Sequence, residues 1–165
     1  MVKVWITPAE MDECIEISER RHEANSDPNR PNRNANTNPV VNRYWEFRGA
    51  LGELACARYM GMEWTGATGR GFDVGGCIEV RTTGKRLRLA IVNKDFTTHT
   101  PDTPFVSAVW EGLPDEHGTF VMLRGWLPLG EVKDRSTLLE VDGHSFWAVQ
   151  TKYLRPMAQL EHALK

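Results

Sequence analysis

The sequence predicts an α/β (α+β) domain in which a central mixed β-sheet is flanked by helices. Three observations point there. Apolar residues recur at helical spacing near both ends of the chain. Between residues 77 and 149 lie several short apolar or alternating runs, each of strand length. Glycine-rich and proline-rich turns separate these runs. The 165 residues are expected to form one domain over 1–165, with a hydrophobic fraction of 41% and a charged fraction of 25%. That balance suits a packed core and excludes disordered, collagen-like and coiled-coil classes.

Val2 to Ile6 reads as a short strand or extended lead-in. Thr7-Pro8-Ala9-Glu10 is a helix start: Thr7 caps, Pro8 suits the first turn and Glu10 completes a capping box. Met11, Cys14, Ile15 and Ile17 carry the helical period to about Glu23, over an acidic surface. Residues 25–42 contain seven Asn and three Pro and have no apolar periodicity before Val40, which predicts a long Asn-rich loop. Arg30 and Arg33 within it are suited to phosphates, and the asparagines to base edges.

Tyr44 to Met60 reads as a second helix, ended by Gly61. Gly49, Ala50, Gly52 and Ala55 make it slim, so another element is expected to pack close. Gly66, Gly69, Gly71, Gly75 and Gly76 mark turns. Cys77–Thr82, Leu87–Val92, Phe105–Glu111 and Thr119–Leu127 read as strands, the last two joined by a hairpin loop over 112–118. Leu138–Val141 and Phe146–Val149 are weaker strand signals. Pro156 opens a final helix with Met157, Leu160 and Leu164 along one side.

Charge is unevenly spread. Residues 1–19 carry one Lys against five acids, residues 20–94 thirteen Lys/Arg against seven, and residues 95–165 six against ten. A basic centre between acidic flanks is either a solvated face or a surface for a polyanion. No run approaches ~18 apolar residues, so no membrane span is expected. Cys14, Cys56 and Cys77 lack metal-ligand spacing and are odd in number. They fit a reducing, cytoplasmic setting. His22, His99, His117, His144 and His162 are scattered, which argues against a histidine metal site. A phosphate-binding loop and a dinucleotide fingerprint are both absent.

Three acids stand out by context. Glu53 lies mid-helix among small and apolar residues, Asp73 follows Gly71-Phe72, and Glu79 is flanked by Ile78 and Val80. Strand alternation predicts Ile78 and Val80 in the core, with Glu79 and Arg81 facing a cleft. A buried carboxylate is costly unless paired or metal-bound, and converging carboxylates form the oxygen-rich site that Mg²⁺ accepts. Read singly, Glu79 and Arg81 make an ion pair or solvated face, Glu53 pairs with Arg48 or Arg58, and Asp73 is a turn acid.

The segment Phe72-Asp73-Val74-Gly75-Gly76-Cys77-Ile78-Glu79-Val80-Arg81 resembles the core of the PD-(D/E)XK nuclease superfamily, the restriction-endonuclease-like fold. The Gly-rich helix bearing Glu53 resembles the helix that precedes that core, and Phe120–Leu127 a later strand of small phage-type members. The resemblance covers roughly residues 43–130. It implies Asp73 and Glu79 as ligands of Mg²⁺ (or Mn²⁺), helped by the Val80 carbonyl, and Glu53 as a third ligand or water-orienting acid. Its lysine falls on Arg81, which stays charged and cannot act as a base. Lys85 or Lys94 is placed to take that role instead.

The implied function is metal-dependent hydrolysis of phosphodiester bonds, with DNA the expected substrate, in the host cytoplasm if the chain is phage-encoded. Arg30, Arg33, Arg43, Arg48, Lys85, Arg86 and Arg88 would track phosphates. The alternatives are a weak or inactive member of the same fold that binds nucleic acid or protein, and a structural or inhibitory α+β protein that works through its acidic flanks. The sequence leaves oligomeric state open, a homodimer exchanging the Asn-rich loop included.

Overall fold

A computed structural model of the chain describes residues 1–25, 38–66, 71–84, 88–141 and 144–164. It is mixed α/β. Strand β1 (Val2–Ile6) leads into helix α1 (Pro8–Asn25). The predicted capping box is present: the Thr7 N–H donates to Glu10 Oε2 at 2.8 Å, and the Glu10 N–H donates back to Thr7 Oγ1 at 3.4 Å.

Helix α2 (Pro39–Met60) starts five residues before the expected Tyr44. Asn38 supplies the cap, accepting from the Val40 N–H at 3.0 Å, and Pro39 takes the first turn. Those two residues, read as loop by composition, are helix-start signals. Of the predicted Asn-rich loop, residues 26–37 lie outside the described residues. At the far end of α2, Gly61 adopts φ 64° and its N–H reaches the Ala57 and Arg58 carbonyls, as a left-handed C-cap requires.

The remaining strands are β2 (Glu79–Thr83), β3 (Arg88–Val92), β4 (Pro104–Val109), β5 (Thr119–Pro128), β6 (Ser136–Val141) and β7 (His144–Gln150). Short helices α3 (Asp95–Thr98) and α4 (Leu129–Val132) fill connections, and α5 (Met157–Ala163) closes the described chain. The mixed sheet runs β1-β5-β4-β2, with β2 and β4 parallel and the other pairs antiparallel. Beside it stands an antiparallel sheet, β3-β7-β6. One sheet was expected. The strand β3 leaves β2 and pairs with β7, Leu89 opposite Val149 and Ile91 opposite Trp147.

The two sheets explain the burial of β4 along its whole length. Val106 and Ala108 join the core under α1, α2 and α5, with Ile17, Leu51, Ala55, Ile78, Val80 and Leu160. Phe105 points the other way, into a second cluster with Leu89, Ile91, Leu127 and Val149. The slim face of α2 has its expected partner. A Cβ on Gly52 would lie 1.9 Å from Thr82 Oγ1 and 3.1 Å from Ala108 Cβ. Thr82 and Ala108 are register partners on β2 and β4, so Gly52 sets the closest approach of helix to sheet. Among the described residues no helix is long and apolar enough to cross a membrane.

Candidate functional site

Strand β2 places its side chains as its alternation predicts. Ile78, just before it, and Val80 lie in the helix-side core, while Glu79 and Arg81 project from the other face. Asp73 is brought beside them by a tight reversal. The Asp73 and Val74 N–H groups donate to the Ile78 carbonyl, with Gly75 and Gly76 at φ 56° and 68°. Asp73 Oδ2 then accepts the Val80 N–H at 2.8 Å. The motif is therefore a hairpin whose first arm ends in one acid and whose second arm begins with another.

Arg81 ties this hairpin together. Its Nη1 donates to Glu79 Oε2 at 2.8 Å and to the Val80 carbonyl at 3.3 Å, and stands 3.7 Å from Asp73 Oδ2. Its Nη2 donates to Asp95 Oδ1 at 3.0 Å. Asp95, buried at the start of α3, also accepts the Val92 N–H through Oδ2 at 3.1 Å. The guanidinium lies 5.1 Å from the centre of the Phe105 ring. On the far side of Glu79, His99 Nε2 is 3.6 Å from Oε1, its ring between those of Phe72 and Phe105 at 5.5 and 5.6 Å.

Glu53 belongs to a neighbouring pair. Arg21 of α1 grips it with two hydrogen bonds, Nη1 to Oε1 at 2.8 Å and Nη2 to Oε2 at 2.6 Å. The Trp64 indole N–H adds a third, to Oε2 at 3.1 Å. Both charged residues are buried. Half-buried Glu46 sits beside them, bonded to Asn25 at 3.0 Å. The structure thus joins Asp73 and Glu79 on Arg81 and gives Glu53 its own cation.

The electrostatics tie the two pairs together. Burial, then the charges of Glu53 and Glu79, push the Asp73 carboxyl up to about 7. Burial raises Glu79 as well, against the pull of Arg81 and His99. Burial opposes the charge on Arg81, but Asp95, Glu79 and Asp73 outweigh it and raise its pKa. Among the described residues, Arg21 is ion-paired with Glu53, and Arg81 with Asp73, Glu79 and Asp95. Among the described residues no three His, Cys, Asp or Glu groups stand together as a metal-binding set.

The basic residues named from sequence divide. Arg43 on α2 and Arg88 on β3 are exposed. Arg48 is half-buried, 5.6 Å over the Tyr44 ring, and Tyr44 and Phe47 flank Trp110. Arg30, Arg33, Lys85 and Arg86 lie outside the described residues, and Lys94 is exposed before α3.

Sequence reasoning missed Arg21, Trp64, Asp95 and His99. Arg21 had a signal. It continues the buried stripe Cys14, Ile17, Ser18 at helical spacing, and a charge on a core stripe calls for a buried partner. Asp95 and His99 had none, because their roles depend on where α3 docks. Compared with known protein families, curated proteins and solved structures, the chain matches none.

Proposed function

We propose that this domain binds nucleic acid, with DNA the expected substrate, and hydrolyses phosphodiester bonds with Mg²⁺ or Mn²⁺ held by Asp73, Glu79 and the Val80 carbonyl. One observation carries the reading. Oxygens of all three groups face a single cationic nitrogen, Arg81 Nη1. Hard oxygen donors of this kind suit Mg²⁺, which takes one or two carboxylates and fills its shell with water and substrate phosphate. The donor set therefore fits the ion. When bound there, the ion would offset phosphate charge and lower the pKa of a coordinated water.

The chain's own groups have separate tasks. Asp73 and Glu79 supply negative charge, and the Asp73–Val80 hydrogen bond holds the carboxylate at the hairpin. Glu53, oriented by Arg21 and Trp64, raises the negative potential at Asp73, and its ligand or water-orienting role would require it to be released from Arg21. Arg81 stays protonated and offers N–H donors to a phosphate oxygen. Arg43, Arg48 and Arg88 would meet the backbone, with Lys85, Arg86, Arg30 and Arg33 alongside them in the sequence.

The second reading is a module of the same kind that binds without cutting. It is favoured by the fact that Arg81, not an open position, faces the three oxygens. Incubating the protein with single- and double-stranded DNA and RNA, with and without Mg²⁺ or Mn²⁺, tests the choice. Metal-dependent cleavage supports hydrolysis. Salt-dependent binding without cleavage leaves the binding module.

A further inference from the structure

Arg81 has two ends with different surroundings. One nitrogen lies among Glu79 Oε2, the Val80 carbonyl and Asp73 Oδ2; the other is bonded to Asp95 Oδ1. Asp95 is buried and anchored to the Val92 N–H through its second oxygen, a hold that does not depend on Arg81. A guanidinium and a divalent cation repel one another at contact distance, so the two compete for these oxygens. We propose that Arg81 is an internal competitor for the divalent-cation cradle. Ion entry requires its Nη1 end to withdraw from Glu79, Val80 and Asp73, while Asp95 retains the Nη2 end. The withdrawn end is then a charged donor beside the ion, free to meet a substrate phosphate.

This inference rests on the proposed metal-binding role of Asp73 and Glu79. Its test therefore reads ion binding rather than cleavage. Titration with Mn²⁺, followed by the electron paramagnetic resonance signal of free ion, compares the wild-type chain with Arg81→Met. The methionine keeps a flexible apolar side chain and removes the charge. The variant should bind Mn²⁺ at least about tenfold more tightly than wild type. Its melting temperature should also rise more with added Mn²⁺, since an ion that binds the folded state stabilises it. Adding Glu79→Gln should abolish the gain. Arg81→Gln gives the same comparison should Arg81→Met fail to fold. Equal or weaker binding in the variants overturns the competition and leaves the metal reading standing. No binding by wild type or variants at millimolar Mn²⁺ overturns the metal reading itself, and the competition with it.

Discussion

Arg81 and Asp95 are joined by a hydrogen bond of 3.0 Å across fourteen residues of chain. The contact fastens the face of β2 that carries Glu79 to the start of α3. It also means that the acid-X-Arg motif is completed by a residue outside the motif. Asp95 is buried, and its two oxygens divide between Arg81 and the backbone of Val92, so it orients the guanidinium as well as neutralising it.

The Arg21–Glu53 pair should behave as a buried ion pair does. Removing one partner strands a desolvated charge, so Arg21→Met or Glu53→Gln alone should cost about 3–5 kcal/mol. The double variant Arg21→Met/Glu53→Gln should recover much of that loss, because neither charge of the pair remains. Urea denaturation of the four proteins measures the coupling. Single variants within a few tenths of a kcal/mol of wild type would show the pair to be solvated.

Gly52→Ala should destabilise by about 1–3 kcal/mol through overpacking against β2. The added methyl would meet Thr82 Oγ1 at 1.9 Å, and the sheet behind it cannot retreat without moving Ala108. Among the described residues, Thr82 Oγ1 is buried without a hydrogen-bond partner. Thr82→Ala should therefore be nearly neutral alone and should recover part of the Gly52→Ala loss. Thermal unfolding of both variants and their combination decides this.

Asp73 gives a pH dependence of definite sign. In the unfolded chain it ionises near 3.8, whereas in the folded protein it holds its proton to about 7. Between those values the folded state binds more protons, so this group's contribution to stability falls as pH rises and is lowest above 7. Asp73→Asn removes that contribution while keeping an oxygen acceptor for the Val80 N–H. The wild type should lose more in melting temperature than Asp73→Asn between pH 5 and 8. An equal loss in both would contradict the burial and the acid–acid repulsion assigned to Asp73.

Much of the fold was legible because local signals agreed with tertiary ones. Thr7 and Glu10 form their capping box, and Gly61 ends α2 in a left-handed conformation. Ile78 and Val80 take the core side that alternation predicts. The start of α2 was misread because asparagine content dominated the window, although Asn38-Pro39 is a cap followed by a first-turn proline. The second sheet was not legible: β3 reads as an ordinary apolar strand, and nothing local states which neighbour it pairs with. The adjacency of Asp73 and Glu79 was legible because a turn and a strand close in sequence bring them together. The partition of the acids between Arg21 and Arg81 depends on how α1 and α3 dock, which no short window of sequence carries.

Cleavage by the wild-type chain and by Glu79→Gln, on the same DNA with Mg²⁺ or Mn²⁺ and with both proteins shown to be folded, tests the central claim most directly. Glu79→Gln keeps the side-chain volume and removes one negative oxygen donor. The account predicts metal-dependent cleavage by the wild type, none detectable by the variant, and DNA binding retained by both. Equal cleavage by the two proteins, or none by the wild type on any substrate, would contradict it.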